Sequence, residues 1–286
     1  MTRYLITGAK GMLGRDLQAA LAAAPGDRRV TALDRTELDI TDPLACQSAV
    51  TGYDVVLNAA AYTHVDAAEA DEQTAHRVNA TGAENLAAAC RVAGAVLVQY
   101  STDYVFDGSQ AEPYAEDAPL APVSAYGRTK AAGERLARAA HPEGTIILRT
   151  AWLYGEHGSN FVHTMMRLYR EHGELTVVDD QHGQPTWTRD LAEQTVRMLD
   201  AGVRSATLHG TNSGATTWFG FAQAIVENLG GDPSAVTPVS SAAFPRAAHR
   251  PAHSVLGHEG WSRRDLTPLR PWRRALDEAM ATIEGW

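Results

Sequence analysis

The sequence has little cysteine and no long apolar run. Cys46 and Cys90 are the only two cysteines among 286 residues, which excludes a disulfide framework and a structural zinc site, and we expect both to be reduced core thiols. No segment approaches the roughly 18 apolar residues of a membrane-spanning helix. The beginning of the chain has too short an apolar run for a secretory signal. These absences predict a globular, cytoplasmic protein.

Clustered positive charge is also missing. The formal net charge is −9, and acidic and basic residues are interleaved along the chain. A nucleic-acid interface needs a basic stripe that neutralises phosphates, so neither nucleic acid nor a membrane is an expected partner. Lysine is the scarcest charged residue, because 23 of the 25 basic residues are arginine and only Lys10 and Lys130 are lysine.

The order of apolar and helical segments predicts the fold class. Short β-rich runs alternate with Ala-rich stretches over the first 150 residues, a pattern typical of βαβ units and a parallel sheet. We therefore predict a doubly wound α/β sheet of the Rossmann type with a smaller C-terminal region packed on it. Strands are predicted at 4–7, 30–33, 55–58, 96–101, 145–149, 175–178 and 207–209, and helices at 12–23, 43–50, 67–93 (in two pieces), 125–139, 161–172, 189–201 and 218–229.

The chain contains no repeat or flexible linker that would separate a tethered module. We expect residues 1–155, rejoined by about 187–214, to form a dinucleotide-binding domain. Residues 156–186 and 215–286 would then form a substrate-binding region. A cleft between the two parts is the natural ligand site.

Three glycines follow the first predicted strand and begin the first predicted helix. Gly8 and Gly11 permit a tight turn and close approach of the backbone to a pyrophosphate at the helix N-terminus, and Gly14 lets the helix pack tightly on the sheet. A glycine turn without a ligand is the alternative. The position directly after a strand favours dinucleotide binding.

Charged residues beyond the second predicted strand bear on the choice of cofactor. Asp34 lies about twenty residues after the glycines, where an acidic side chain meets the ribose hydroxyls of NADH. Its neighbour Arg35, together with Lys10, can instead hold the 2′-phosphate of NADPH. Solvated loop charges are the third interpretation, and the sequence leaves the three open.

Tyr126 and Lys130 are four residues apart on a predicted helix, so both side chains project from one face. Because an ammonium stabilises a phenolate, we expect Lys130 to lower the pKa of Tyr126 and make it the proton donor of a ketone reductase. Lys130 can also bind the nicotinamide ribose, while an exposed helix pair is the alternative. The carbonyl-orienting hydroxyl should lie at a strand end; Thr102 is the candidate and Ser101 the alternative.

Several longer strings contain these residues and extend over nearly the whole chain. They are STDYVFDG at 101–108, NAAAYT at 58–63, YGRTK at 126–130, RTAWLYG at 149–155, DQHGQPT at 180–186 and RPAHS at 250–254. Together they closely resemble the dTDP-4-dehydrorhamnose reductase family of extended short-chain dehydrogenases/reductases.

The resemblance implies an activity and a set of site residues. The implied activity is NADPH- or NADH-dependent reduction of the C4 ketone of dTDP-4-dehydro-L-rhamnose by a monomer or homodimer. The implied catalytic residues are Thr102, Tyr126 and Lys130. The implied cofactor contacts are Met12, Leu13, Asp39, Ile40, Ala60, Ala61 and Tyr62, and the implied sugar-nucleotide contacts are Thr63, Val65, Thr102, Asp103 and Trp152.

Two other functions stay open. The first is reduction of a different nucleotide 4-keto-6-deoxy sugar, for which only residues around Trp152, Asn160 and Gln184 would differ. The second is a non-catalytic, NADP-binding regulatory subunit, which would keep the glycine turn. Binding of NADP without substrate-dependent oxidation distinguishes this second function from both reductases.

Metal and hydrolase chemistry are disfavoured. Members of the resembled family are associated with Mg²⁺ and with metal-linked dimers built from acidic side chains, but Arg15 stands where an acidic residue is expected, so we predict no metal ligand. His249 and His253 have helical ligand spacing, yet Pro251 between them argues against a zinc-binding helix. No Gly-x-Ser-x-Gly elbow of a serine hydrolase occurs.

Overall fold

Strands and helices alternate through the first half of the protein, whose computed structural model describes residues 1–282. In chain order the elements are β1 (Thr2–Thr7), α1 (Met12–Ala23), β2 (Arg28–Leu33), α2 (Pro43–Val50), β3 (Val55–Asn58), α3 (Val65–Ala70), α4 (Glu72–His76), α5 (Gly82–Ala93), β4 (Val96–Thr102), α6 (Ala125–Ala140), β5 (Thr145–Thr150), β6 (Leu153–Tyr154), α7 (Phe161–His172), β7 (Leu175–Val178), β8 (His182–Gly183), β9 (Thr186–Trp187), α8 (Thr188–Asp200), β10 (Ala206–His209), β11 (Thr216–Thr217), α9 (Trp218–Asn228), β12 (Val236–Val239), α10 (Glu259–Ser262) and α11 (Trp272–Thr282). None of these helices is long and apolar enough to cross a membrane.

Six parallel strands form the central sheet, in the order β2–β1–β3–β4–β5–β10. β1 has β2 on one side and β3 on the other, so the direction of winding reverses there. Doubly wound sheets bind ligands in the crevice at the carboxyl ends of the strands beside such a reversal. The predicted Rossmann-type sheet is confirmed, including the strand at 207–209, which forms one edge as β10.

Apolar side chains cover both faces of the sheet, because successive residues of a strand point to opposite faces. On one face, Ile6 and Leu57 pack with side chains of α1 and α8. On the other face, Leu5 and Val56 pack with side chains of α2 and α5. Both faces of the sheet are therefore buried, as is usual for a parallel sheet.

A second apolar core lies beyond the sheet, in the C-terminal half. Helices α7, α9 and α11 build it around Tyr154, Trp187 and Phe221, all of which are buried. Short strand pairs frame this core: β7 with β12, β6 with β9, and β8 with β11. Helix α8 packs instead on the central sheet.

The prediction of two helical pieces at 67–93 is wrong in detail. It forms α3, α4 and α5, and α4 continues into α5 through a π-helical turn at Arg77–Thr81. Asp71 causes the first break, because its carboxylate accepts a hydrogen bond from the Thr74 N–H at 3.0 Å and caps α4. π-turns are frequent at functional sites, and this one directs Asn79 toward the carboxyl edge of the sheet.

Candidate active site

The glycine turn lies at the carboxyl end of β1 and is too tight for side chains. Gly8 has φ of +69°, and a Cβ there would lie 2.6 Å from the backbone nitrogen of Ala60. A Cβ on Gly14 would collide with the carbonyl oxygen of Gly8. Helix α1 begins after Gly11 without a side-chain cap, so its first N–H groups remain available. These features fit a pyrophosphate held on the helix N-terminus.

Lys10 and Asp34, predicted to favour different cofactors, form an ion pair with each other. Lys10 is 73 % exposed, whereas the Asp34 side chain is 10 % exposed. The ammonium, followed by hydrogen bonds from the Thr36 hydroxyl at 2.6 Å and N–H at 2.7 Å, holds the pKa of Asp34 well below its usual range. The same pairing raises the pKa of Lys10. Arg35 is exposed beside them.

The other predicted cofactor contacts fall into two groups. Met12 is half-buried and Asp39 is exposed, and the Asp39 carboxylate accepts hydrogen bonds from the N–H and hydroxyl of Thr41 at 2.9 and 2.8 Å. Leu13 and Ile40 have their side chains in the two cores that flank the sheet. Only the backbone of Leu13 and Ile40 is therefore available to a ligand.

The stretch 60–62 follows β3 and faces the glycine turn. Its last residue, Tyr62, is held by the amide of Asn79, which accepts from the Tyr62 N–H at 2.8 Å and donates to the Tyr62 carbonyl at 3.1 Å. The same amide donates to the hydroxyl of Thr129 on α6 at 3.1 Å. Asn79, which the sequence analysis did not single out, thus joins the cofactor edge to the helix that bears Tyr126.

Thr102, Tyr126 and Lys130 come together at the carboxyl edge of β4. Ser124 caps α6 by accepting from the Gly127 N–H at 3.1 Å, and Tyr126 therefore lies in the first turn. Its hydroxyl lies beside that of Thr102. Lys130 is buried and its Nζ donates to the carbonyl of Tyr100 at 2.6 Å. The structure thus places near one another the pair predicted from helical spacing, Tyr126 and Lys130, and Thr102, which was predicted from its position at a strand end.

The predicted acidity of Tyr126 is wrong for this structure. Burial, followed by the carboxylate of Asp103, raises the pKa of the phenol above its usual value, and the neighbouring Thr102 hydroxyl opposes this shift. The ammonium of Lys130 makes no contribution to this shift, and its Nζ donates to the Tyr100 carbonyl. Burial lowers the pKa of Lys130 to about 8, against the attraction of Glu134. Tyr126 consequently carries its proton at neutral pH.

Asp103, a predicted substrate contact, is 2 % exposed. Its carboxylate accepts a hydrogen bond from the Thr102 hydroxyl at 3.0 Å and lies close to Ser254. Burial raises the pKa of Asp103 to about 6. Ser254, which the sequence analysis did not propose as a site residue, brings the C-terminal part of the chain to the catalytic edge.

The remaining predicted substrate contacts surround this edge more openly. Thr63 is exposed and precedes α3, whose first residue Val65 is half-buried. Trp152 follows β5 with φ of +47°, and its half-buried ring stacks on Trp218 of α9. No sequence signal distinguished Trp218 from an ordinary core residue.

Glu134 is a further buried charge of this region that was not predicted. It forms a bidentate ion pair with Arg149, with a shortest contact of 2.8 Å, and accepts from the Ser101 hydroxyl at 2.5 Å. Its spacing of four residues from Lys130 was the available signal, because it continues the same helix face. The hydroxyl of Ser101, the alternative to Thr102, is therefore hydrogen-bonded to Glu134.

No group of His, Cys, Asp or Glu within residues 1–282 has three or more members placed to hold a metal ion. Arg15, which replaces the acidic residue expected there, donates to the carbonyl of Lys10 at 3.3 Å.

Comparison with known proteins gives the family. A family model described as the RmlD substrate binding domain matches residues 2–284. The chain belongs to the dTDP-4-dehydrorhamnose reductase family. The resemblance predicted from the sequence strings is thereby confirmed.

Individual members of this reductase family match the chain over nearly its full length. The dTDP-4-dehydrorhamnose reductase of Streptomyces griseus is 48 % identical, covering 99 % of this chain and 94 % of that protein. The dTDP-4-keto-6-deoxy-D-glucose reductase of Streptomyces niveus is 47 % identical, covering 99 % and 98 %. The crystal structure of the Bacillus anthracis dTDP-4-dehydrorhamnose reductase in complex with NADP is 37 % identical with a TM-score of 0.93, covering 98 % of this chain and 99 % of that chain.

Proposed function

We propose that this chain reduces the C4 ketone of dTDP-4-dehydro-L-rhamnose to dTDP-L-rhamnose, with NADPH as the preferred reductant and NADH as the alternative. The observation that carries this proposal is the meeting of Thr102, Tyr126 and Lys130 beside the glycine turn at one edge of the sheet. The name of the Streptomyces griseus relative supports the substrate class.

The chain's own residues supply the proton and the orientation. The Tyr126 hydroxyl donates its proton to the developing C4 alkoxide, and the neighbouring Thr102 hydroxyl orients the ketone oxygen. With the cofactor bound, the ammonium of Lys130 would hold the nicotinamide ribose and stabilise the phenolate that remains. A bound reduced nicotinamide supplies the hydride. Hydride and proton together convert the ketone into an alcohol.

NADPH is favoured by the charges at the adenosine end. The carboxylate of Asp34 would repel a 2′-phosphate, but the ammonium of Lys10 is paired with it, which leaves exposed Arg35 free to attract the phosphate. The NADP complex of the Bacillus anthracis relative supports the same choice. Met12, Asp39 and the backbone of 60–62 would complete the cofactor site.

The sugar nucleotide would lie between the catalytic edge and the C-terminal part of the chain. Thr63 and Val65 would contact it from the sheet side, and the ring of Trp152 would contact it from the opposite side. Asp103 would act on it through Thr102, because its own carboxylate is buried. Residues 156–186 and 215–282 would form the rest of this substrate-binding region, whereas the last predicted residues, 283–286, lie outside the described part of the chain.

A second candidate is the reduction of dTDP-4-keto-6-deoxy-D-glucose without prior epimerisation. The observation in its favour is that the Streptomyces niveus reductase of that name is 47 % identical, almost the same value as for the rhamnose-pathway relative. Both reactions use the same catalytic residues, so the difference lies in the sugar pocket.

A coupled assay tests both candidates. dTDP-glucose is converted by a 4,6-dehydratase, with or without the following epimerase, and loss of reduced-nicotinamide absorbance is recorded after addition of this protein. NADPH and NADH are tested separately, each with added Mg²⁺ and with EDTA, and the product sugar is identified. Oxidation that requires the epimerase supports the first candidate, and oxidation without it the second. Binding of NADPH with no oxidation on either sugar overturns both and leaves the regulatory subunit.

A further inference from the structure

A chain of buried side-chain hydrogen bonds crosses the sheet from the glycine turn toward Lys130. The Thr7 hydroxyl donates to the Asn58 amide oxygen at 2.6 Å, and the Asn58 amide nitrogen donates to the Gln99 amide oxygen at 2.6 Å. The Gln99 amide nitrogen donates to the carbonyl of Tyr100 at 3.1 Å. Thr7, Asn58 and Gln99 are each at most 2 % exposed.

The hydrogen-bond chain ends at the carbonyl of Tyr100, which also accepts from Lys130. In the register of β3 with β4, Asn58 lies opposite Gln99, so the carbonyl of Tyr100 is one residue beyond the paired end of β3. It accepts the Gln99 amide at 3.1 Å and the Lys130 ammonium at 2.6 Å. One carbonyl has two lone pairs, and both donors can therefore be satisfied at once.

The direction of the hydrogen-bond chain is fixed by the Tyr100 carbonyl, which can only accept. Gln99 therefore presents its nitrogen to that carbonyl and its oxygen to the Asn58 nitrogen. The Asn58 oxygen is then left to accept from the Thr7 hydroxyl. Buried amides cost free energy unless they are paired, and apolar side chains would fill these positions without that cost. Their presence at the catalytic edge therefore calls for a functional reason.

We propose that Gln99 is a positioning residue that sets, through the carbonyl of Tyr100, where the Lys130 ammonium lies. The expected effect on kcat rests on the function proposed above, whereas the expected position of the Lys130 ammonium does not. Lys130 has three N–H donors, and fixing one of them on this carbonyl aims the other two toward the cofactor ribose and Tyr126. Glu134 attracts the same ammonium from the next turn of α6 but leaves its direction open.

The protein offers a matched control, because a second buried hydroxyl contacts Tyr100. Thr195 is fully buried, and its hydroxyl is hydrogen-bonded to the phenol of Tyr100 at 3.0 Å. Thr195→Val and Thr7→Val each remove one buried hydroxyl group. Thr7→Val removes it from the hydrogen-bond chain, whereas Thr195→Val removes it from the phenol end of Tyr100, which does not contact Lys130. A purely structural role predicts the same effect from both substitutions.

The kinetic test compares Gln99→Met, Thr7→Val and Thr195→Val with Thr7→Ser, which keeps the hydroxyl. Gln99→Met is expected to lower kcat about tenfold, as for a slightly misplaced catalytic group, with KM for the keto sugar unchanged. Thr7→Val is expected to lower kcat less, and Thr7→Ser and Thr195→Val to keep it. Equal losses in Thr7→Val and Thr195→Val overturn the proposal, and Thr7→Val carries the test if Gln99→Met does not fold.

A spectroscopic test is independent of turnover, because the protein has only two lysines. Lysine labelled with ¹⁵N at Nζ gives one signal for Lys10 and one for Lys130, assigned with a Lys10→Arg variant. Gln99→Met is expected to shift the Lys130 signal with NADPH absent or bound, while Thr195→Val leaves it in place. An unmoved Lys130 signal overturns the inference, whereas absence of turnover in the wild type overturns only the proposed function.

Discussion

Trp152 lies face to face with Trp218, with ring centroids 3.6 Å apart and ring planes 9° from parallel. The φ of +47° at Trp152 is unfavourable for any residue other than glycine, at a cost on the order of 1–3 kcal/mol. Gly183 receives the edge of the indole, because a Cβ there would lie 2.5 Å from the ring. A strained backbone thus holds the Trp152 ring in contact with both Trp218 and Gly183.

Gly183→Ala is expected to displace that ring. The added methyl group occupies space that Trp152 now fills, so KM for the keto-sugar nucleotide should rise about tenfold, equivalent to roughly 1.4 kcal/mol of binding. Kd for NADPH should not change, since a Cβ on Gly183 would meet the ring of Trp152 and not the glycine turn. Gly230→Ala is the control, because that glycine has positive φ of 75° but open space around it. An unchanged KM in Gly183→Ala would show that Trp152 does not contact the sugar nucleotide.

Tyr126→Phe is expected to remove most of the turnover. General acid catalysis contributes about 10² to 10⁴ in rate, and Phe keeps the ring contact with Tyr104, whose centroid is 5.8 Å away. Kd for NADPH, measured by fluorescence titration, should stay within about twofold of wild type for a change worth under roughly 0.5 kcal/mol. Tyr53→Phe, which removes a remote hydroxyl bound to Thr31, serves as the control. Activity near wild type in Tyr126→Phe would mean that another group donates the proton.

Much of this site is encoded in local spacing and could be predicted. The separation of Tyr126 from Lys130 matches one helical turn, and the glycines follow a strand directly, so periodicity placed them correctly. The acidity of Tyr126 could not be predicted in the same way. It depends on burial and on Asp103, and both result from how α6 packs on β4.

Other features depend on contacts between distant segments. Lys10 and Asp34 were assigned to different cofactors because the sequence does not show that a turn after β1 and the end of β2 bring them together. The strands β6, β8, β9 and β11 have two residues each, which is too short for an alternation of apolar and polar residues to appear. The Trp152–Trp218 stack joins the end of β5 to α9, and no local pattern predicts it.

The Lys10–Asp34 pair is expected to control the choice of cofactor. Lys10→Met leaves the Asp34 carboxylate uncompensated where a 2′-phosphate would lie, so it should weaken NADPH binding about tenfold while changing NADH binding little. Asp34→Asn removes the repulsion and should shift the preference further toward NADPH. Kd values for both cofactors give the ratio, which general loss of stability does not alter. An unchanged ratio in both variants would place the 2′-phosphate elsewhere.

His209 is expected to make stability depend on pH. It is fully buried, with Nδ1 2.8 Å from the Gly257 carbonyl and Nε2 3.3 Å from the Arg149 guanidinium. The first contact requires a proton on Nδ1, so Nε2 accepts from Arg149 and the ring is neutral. Burial, followed by the Arg149 charge, lowers the pKa of His209 to about 3, against about 6.5 in the unfolded chain.

The sign of the effect follows from proton binding. Between pH 6.5 and 3 the imidazole of His209 binds a proton in the unfolded state but not in the folded state, so acidification favours unfolding. The contribution of His209 is complete above pH 6.5, and by pH 5 about 2 kcal/mol of it should be lost. His209→Gln should lower the Tm at pH 7 but flatten its fall between pH 7 and 5, as followed by thermal unfolding. His172→Gln, on the exposed end of α7, is the control, and a slope in His209→Gln as steep as in the wild type would assign the acid sensitivity to other groups.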